Sequence, residues 1–170
     1  MSRFKWACLV LLLIPTLAQA QVHAGTWELT LGGTGVSGNK LDGVTAAANV
    51  TVGYFVTRDF ELSVRQAITF TDIAVSGDLD SSTRLAADYH FNFGDANQWR
   101  PYFGVNGGYI FGDTVTDTFE AAPEVGLKWF LRPDAFLFGQ LEYQYFFNSG
   151  QDSSFSDGQF VFTVGIGLTF

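Results

Sequence analysis

The stretch Gln159-Phe-Val-Phe-Thr-Val-Gly-Ile-Gly-Leu-Thr-Phe170 alternates large apolar residues with small or polar ones. Successive side chains of a strand point to opposite faces, so the apolar residues at 160, 162, 164, 166, 168 and 170 share one face. The other face carries small or polar residues, with Val161 as the one apolar exception. The stretch therefore predicts a strand with one apolar and one polar face.

Similar alternation recurs along the chain in eight segments, near 25–35, 43–56, 60–73, 82–94, 101–112, 120–131, 135–147 and 158–170. Strands of about 9–11 residues are long enough to cross a bilayer obliquely. Short connections at 57–59, 95–100 and 132–134 alternate with connections at 36–42, 74–81, 113–119 and 148–157 that are richer in Gly, Ser and Asp. The pattern predicts an all-β chain folded as an eight-stranded antiparallel up-and-down transmembrane β-barrel.

The N-terminus has the features of a cleavable secretory signal peptide. Arg3 and Lys5 precede an apolar run, and Ala18-Gln19-Ala20 has the small-x-small form of a cleavage site. We therefore expect residues 1–20 to be a signal peptide and residues 21–170 to be the barrel domain. The only cysteine, Cys8, lies in the predicted signal, so we expect neither a disulfide nor a Cys-ligated metal in the mature chain.

The overall composition agrees with a barrel and argues against nucleic-acid binding. Aromatic residues make up 16% of the chain, and there are 19 Gly but only 4 Pro. These proportions favour strands. The formal net charge is −8, with 17 acidic and 9 basic residues. Phosphate neutralisation needs clustered Lys and Arg, so we expect no nucleic-acid partner.

Aromatic residues are predicted to collect in two bands near the strand ends. The first band lies at the short turns and contains Trp27, Tyr54, Phe55, Phe60, Phe91, Phe93, Trp99, Tyr102, Trp129 and Phe170. The second lies at the other rim and contains Phe70, Tyr109, Phe111, Tyr145, Phe147 and Phe160. Between the bands the outward positions carry no charge, with Gln66 and Pro123 as the exceptions. Two aromatic bands around an apolar surface are typical of a membrane-spanning barrel.

Three stretches resemble small outer-membrane barrel domains of the OmpA-like and OmpX-like type. They are Arg100-Pro-Tyr-Phe-Gly-Val-Asn-Gly-Gly-Tyr109, the hairpin 125–145, and the final Gly165-x-Gly-x-x-Phe170. The resemblance implies an outer-membrane location and a closing strand whose terminal aromatic, Phe170, is the signal read by the barrel-assembly machinery. It is specific for fold but weak for function, because this fold hosts anchors, adhesins, lipid enzymes and narrow pores.

The inward positions of the predicted strands carry charged and polar side chains. They are Glu28, Glu61, Arg65, Arg84, Asp88, His90, Glu124, Lys128, Glu142 and Gln144. An eight-stranded barrel is just wide enough for side chains to fill, and buried charges persist only when paired. We therefore expect a luminal polar network that plugs the barrel, with Arg65 and Lys128 bracketed by carboxylates such as Glu28, Asp88 and Glu142. Because acids outnumber bases, we expect at least one carboxyl group to hold a proton.

Enzymatic and metal sites receive little support from the sequence. Two families of lipid A-modifying enzymes, the deacylases and the palmitoyltransferases, share this barrel size. Resemblance to them would imply a His/Ser pair with an acidic partner, open to the membrane. Here His23 precedes the first strand, and His90 points inward with no serine two residues on. Acidic residues near the outer rim (Asp72, Asp78, Asp80, Asp113, Asp117, Asp152 and Asp157) form no calcium-loop motif. We expect no catalytic residue, no cofactor and no bound metal.

The favoured function is a non-enzymatic integral outer-membrane barrel with a structural or surface-interaction role. We expect it to be a monomer that contacts outer-membrane lipid and lipopolysaccharide. The alternatives are a porin-like pore for small solutes, a lipid A-modifying enzyme, and a soluble β-sandwich or lipocalin-like binder. A binder should have an apolar interior, whereas the predicted inward faces are polar.

Overall fold

A computed structural model of the protein describes residues 22–36, 45–71, 78–93, 98–112, 118–147 and 158–170. They form eight strands: β1 (Trp27–Val36), β2 (Thr45–Phe55), β3 (Phe60–Thr71), β4 (Asp78–His90), β5 (Trp99–Gly112), β6 (Thr118–Arg132), β7 (Ala135–Phe146) and β8 (Gln159–Thr169). Each strand is antiparallel to the next, and β8 pairs with β1 to close the sheet. The predicted eight-stranded antiparallel up-and-down barrel is confirmed.

The barrel has two distinct ends. The turn end carries the β2–β3 and β6–β7 turns, residues 22–26 and Phe170, and its β2–β3 turn is closed by the Val56 N–H, which donates to the Phe60 carbonyl at 2.9 Å. The loop end is the opposite end, where β1, β3, β5 and β7 finish and β2, β4, β6 and β8 begin. The predicted signal peptide with Ala18 and Ala20 lies outside the described residues, as do Asp72, Asp113, Asp117, Asp152 and Asp157.

Strand β4 begins earlier than the sequence predicts, at Asp78 rather than near 82. Its first residues pair with β3, as Asp78 does with Thr71, and Asp80 also pairs with Gly112 of β5. The assignment of Asp78 and Asp80 to a rim loop was therefore wrong. Backbone pairing with a neighbouring strand on either side outweighs the turn preference of Asp and Ser here.

The two faces of every strand differ as the alternation predicts. Outward positions are exposed and mostly apolar, whereas most inward positions are buried and many are polar or charged. The exception Gln66 does face outward, and its side chain bonds to the neighbouring strand: its amide nitrogen donates to Ser81 at 2.8 Å and its amide oxygen accepts from Thr83 at 2.6 Å. No helix among the described residues is long and apolar enough to cross a membrane.

Pro123 lies inside β6, although a proline, which has no N–H to donate to a ladder, is expected near the rim or at a bulge. It pairs with Val105 of β5, but the β6–β7 ladder has no pair at Ala122 or Pro123. Proline has no N–H to donate, which accounts for the gap on that side.

Two residues assigned to the aromatic band at the turns face the lumen instead. The side chains of Phe55 and Tyr102 are buried, with the residues 0% and 5% exposed, whereas the residues next to them in the chain, Tyr54 and Phe103, face outward. Both sit at inward positions of their strands, so strand parity contradicts their assignment to the outer band. The outer band at the turn end still contains a stacked pair, Trp99 and Trp129, with ring centroids 5.2 Å apart.

Candidate functional site: the ion-paired lumen

The turn end of the lumen is closed by apolar side chains. Inward positions of β2, β6 and β7 place Phe55, Phe130, Phe136 and Phe138 together, and Val22 packs with them from the segment before β1. We call these five residues the aromatic cluster. The segment that carries Val22 is fixed by the Gly25 N–H, which donates to the Phe55 carbonyl at 2.8 Å. The prediction that the inward faces are polar is therefore wrong at this end.

A lysine cluster lies directly above the aromatic cluster and consists of Lys128, Glu28 and Glu61. The Lys128 ammonium donates to both oxygens of Glu28, at 2.6 and 2.7 Å, and to Glu61 Oε2 at 2.9 Å. The ammonium also lies 5.3–5.5 Å from the ring centroids of Phe55, Tyr102 and Phe136. Carboxylates and aromatic faces together compensate this buried cation.

Two further bases belong to the same level of the barrel. His90 Nε2 lies 2.9 Å from Glu61 Oε2, and its ring lies between those of Phe55 and Tyr102. Arg100 is 1% exposed, stacks its guanidinium over Phe55, and donates to the Arg58 carbonyl at 2.8 Å. Lys128 thus contacts both carboxylates of the lysine cluster directly, and Arg100 is a second permanent cation that interacts electrostatically with Glu28, Asp59 and Glu61.

A central arginine cluster consists of Arg65, Asp88 and Glu124. Arg65 binds Glu124 through two nitrogens, each at 2.6 Å, in the bidentate geometry that suits a guanidinium and a carboxylate. The same Nη2 also donates to Asp88 Oδ2 at 2.9 Å. One guanidinium therefore serves two carboxyl groups.

An outer arginine cluster, nearer the loop end, consists of Arg84, Glu120 and Glu142. Arg84 Nη1 donates to Glu142 Oε1 at 2.7 Å. Its Nε lies 3.6 Å from Glu120 Oε1, which is an ion-pair distance but not a hydrogen bond. Here too one guanidinium faces two carboxyl groups.

Two amide side chains connect the arginine clusters. Asn106 donates to Glu124 and, at 3.1 Å, to Glu142. Gln140 donates to the same two carboxylates at 3.3 and 3.2 Å, and its own oxygen accepts from the Tyr102 hydroxyl at 2.9 Å. The network consequently spans the lumen from Arg65 on β3 to Gln140 and Glu142 on β7.

The lumen contains a small polar cavity of about 30 Å³ between the lysine cluster and the arginine clusters. Its lining includes three carboxyl groups, Glu28, Glu61 and Asp88, and three cations, Arg65, Arg84 and Lys128. A cavity of this size holds about two water molecules and is far below the size of a ligand pocket. Its lining thus contains equal numbers of carboxyl groups and permanent cations.

The ten inward residues predicted for the luminal network are all buried inside the barrel: Glu28, Glu61, Arg65, Arg84, Asp88, His90, Glu124, Lys128, Glu142 and Gln144. The pairing differs from the expectation in one respect. Glu142 does not bracket Arg65 or Lys128, because it lies on β7 opposite Glu124 and its carboxylate reaches Arg84 instead. Glu61 takes its expected inward position and is the second partner of Lys128.

Arg100, Glu120, Asn106 and Gln140 were missed as network residues. Arg100 was placed in the connection 95–100 and Glu120 at the first position of a predicted strand, but the observed strands begin earlier, at Trp99 and Thr118. Their inward parity, read over the longer strands, would have identified them.

Glycines provide room for the large luminal side chains. Asp88, Arg84 and Tyr102 lie directly opposite Gly104, Gly108 and Gly126 on the next strand. A Cβ atom at any of these glycines would overlap the opposing residue. Phe136 and Phe138 are accommodated in the same way by Gly167 and Gly165.

The geometry does not supply the histidine arrangement of a lipid-modifying barrel. The His90 side chain has no exposed surface, and its carboxylate partner Glu61 is also held by Lys128. His23 is exposed at the turn end and contacts the Ala24 carbonyl and Thr26. In the part of the chain that the structure describes, no group of three or more His, Cys, Asp or Glu side chains is arranged to hold a metal ion.

Comparison of the sequence with protein-family models gave no match, and neither did comparison with curated proteins. Comparison with solved structures did. The N-terminal β-barrel domain of Pseudomonas aeruginosa OprF superposes with a TM-score of 0.62 at 20% sequence identity, covering 87% of this chain and 99% of that one.

Two further barrels are similar. Neisserial surface protein A (NspA) has a TM-score of 0.63 at 14% identity and covers 86% of this chain and 96% of its own. The outer membrane protein OprG of P. aeruginosa has a TM-score of 0.61 at 14% identity, with coverages of 90% and 99%. Identities this low establish the fold and leave activity undecided. The protein therefore has the fold of the eight-stranded outer-membrane β-barrels.

Proposed function

We propose that this protein is a non-enzymatic integral outer-membrane barrel whose lumen is plugged, with a structural or surface-interaction role. The observation that carries the proposal is the set of three ion-paired clusters, stacked above a closed aromatic cluster. An eight-stranded barrel has little luminal space beyond its side chains, and here those side chains are held by short charge-assisted bonds. A solute would have to break several of them at once.

The outer surface supports a membrane location. An apolar belt surrounds the barrel and includes Leu62, Val64, Leu85, Val105 and Leu141. The belt suits the hydrocarbon core of a bilayer, and the aromatic rings above and below it suit the two interfaces. The similar barrels include proteins described as an outer membrane protein and a surface protein. We propose that the turn end faces the periplasm, and that lipid and lipopolysaccharide surround the monomer.

The location can be tested by extracting outer membranes and comparing gel migration of heated and unheated samples. A closed barrel in lipid should migrate faster before heating than after it. Recovery of the protein from the soluble periplasmic fraction would exclude a membrane barrel and favour a soluble binder.

The plug can be tested by single-channel recording in planar bilayers. The wild-type protein should show no steady conductance, whereas the charge-neutral double variant Arg65→Ser/Glu124→Ser should show open steps, because it removes the central pair that fills the lumen. The matched control Arg132→Ser/Asp134→Ser removes an exposed ion pair at the turn end and should remain silent. Large, steady wild-type conductance would favour the porin-like alternative.

A further inference from the structure

The luminal network contains more acids than permanent cations. The buried acids are Glu28, Glu61, Asp88, Glu120, Glu124 and Glu142, and the buried permanent cations are Arg65, Arg84, Arg100 and Lys128. His90 and Tyr102 are the other titratable groups within the network, and Asp80 lies further toward the loop end and is only half-buried. If every acid were ionised, the network would carry two uncompensated negative charges.

The two uncompensated negative charges belong to the two arginine clusters. In the lysine cluster, Lys128 contacts both carboxylates, and the nearby Arg100 adds a second positive charge that interacts with them electrostatically. In the central and outer clusters, two carboxyl groups share one guanidinium each. A buried charge without a partner is strongly disfavoured, so each arginine cluster should bind one positive charge from solution.

Hydrogen-bond donors distinguish the two carboxyl groups of the central cluster. Glu124 accepts from two nitrogens of Arg65 and from the amides of Asn106 and Gln140. Asp88 accepts one bond, from Arg65, and its Oδ1 has no donor. Hydrogen-bond donors stabilise an ionised carboxylate. Of the two carboxyl groups in the central cluster, Asp88 has fewer donors and is therefore the one better suited to be neutral.

In the outer cluster, too, one carboxyl group accepts many more hydrogen bonds than the other. Glu142 accepts from Arg84, Gln144, Asn106 and Gln140. Glu120 has a fully buried side chain, and neither of its oxygens accepts a hydrogen bond of normal geometry, although Ser82 lies beside it. A neutral carboxylic acid at Glu120 would carry its own O–H donor and avoid an unsolvated charge.

We propose that the barrel interior is a two-proton binding site in which Asp88 and Glu120 are neutral carboxylic acids at neutral pH. The inference extends the proposed function, because it rests on a closed lumen. Each proton comes from water and converts one carboxylate to a carboxylic acid. Asp88 lines the 30 Å³ cavity, which has room for water, and Glu120 is the third residue of β6 from the loop end.

Infrared spectroscopy of the refolded barrel in detergent micelles tests the assignment. The wild-type protein at neutral pH should show the C=O stretching band of protonated carboxyl groups. Asp88→Asn and Glu120→Gln should each remove about half of it, and the double variant should remove all of it. Asp134→Asn, at an exposed acid, should leave the band unchanged.

Two further measurements keep the test decisive if a variant folds poorly. The wild-type band should decrease as the pH is raised, with no substitution needed. Among variants of the central cluster, Asp88→Asn should keep the wild-type urea midpoint at neutral pH, because an amide mimics the neutral acid. Glu124→Gln should lower the midpoint, because it removes the bidentate partner of Arg65.

Absence of the band at neutral pH, or its persistence in the double variant, would overturn the proposal. These results are distinguishable from failure of the plug. A silent barrel without the band refutes only the proton assignment, whereas a conducting barrel that shows the band refutes only the plug.

Discussion

Trp27 and Phe170 exchange both of their backbone hydrogen bonds. The Trp27 N–H donates to the Phe170 carbonyl at 2.8 Å, and the Phe170 N–H donates to the Trp27 carbonyl at 2.9 Å. The two residues lie where β1 and β8 meet at the turn end, so they secure the seam that closes the barrel. The seam is essential in a membrane, because an unpaired strand edge in lipid has no water to satisfy it.

Deleting Phe170, or replacing it with Asp, should strongly reduce the amount of assembled barrel. Deletion removes both bonds to Trp27, and either change removes the aromatic ring that we propose to be an assembly signal. The measurement is the level of heat-modifiable protein in outer membranes. Phe147→Asp, at the other rim, is a control for the loss of an exposed aromatic, and equal losses in both would refute a special role for the seam.

A charge on the outer face should destabilise the barrel far more than one in the lumen. Leu141 is 42% exposed on the apolar belt, whereas the adjacent Gln140 is 8% exposed and its amide faces Glu124 and Glu142. Leu141→Arg should cost about 2–4 kcal/mol near the bilayer midplane. Gln140→Arg should cost less, because its charge would meet carboxylates. Folding into lipid vesicles under a urea gradient measures both, and similar costs would contradict the membrane assignment.

Lys128→Met should destabilise the barrel by about 3–5 kcal/mol, because it leaves Glu28 and Glu61 without their shared cation. The free energy of unfolding can be measured in micelles at neutral pH. Adding Glu28→Gln to Lys128→Met should recover part of the loss, since it removes one of the two stranded charges. The single variant Arg132→Met, at an exposed ion pair, should have a small effect. A loss for Lys128→Met no greater than that control would argue against the ion-paired plug.

Gly126→Ala should destabilise the barrel by about 1–3 kcal/mol through overpacking. The added Cβ would overlap the Tyr102 ring. The hydroxyl of that tyrosine donates to Gln140, and its ring faces Lys128. Gly139→Ala is the matched control, because its Cβ would meet only Phe162, at 3.9 Å. Thermal unfolding in micelles compares the two, and a Gly126→Ala barrel as stable as the control would show that Tyr102 can move aside.

Alternation along single strands determined most of what could be predicted. A period of two needs no knowledge of neighbours, so it identified eight strands and the inward positions of Glu28, Arg65 and Lys128. Alternation misplaced the start of β4, because Asp80 is a residue type that favours turns. Only the pairing of Asp80 with β3 on one side and β5 on the other shows that it belongs to a strand. The aromatic cluster was overlooked because Phe55, one of its members, was grouped with other aromatic residues by height along the strand and not by face.

The choice of ion-pair partners was decided only by the tertiary structure. Lys128 and Glu28 are separated by 100 residues, and Arg65 and Glu124 by 59. Which of them meet depends on the register of every intervening strand pair and on the way the sheet closes, because a shift of register moves each side chain along the lumen. The sequence by itself determined a closed barrel with a charged interior. The closed sheet then decided that Glu142 reaches Arg84, that Glu61 shares Lys128 with Glu28, and that Asp88 and Glu120 are the acids with the fewest donors.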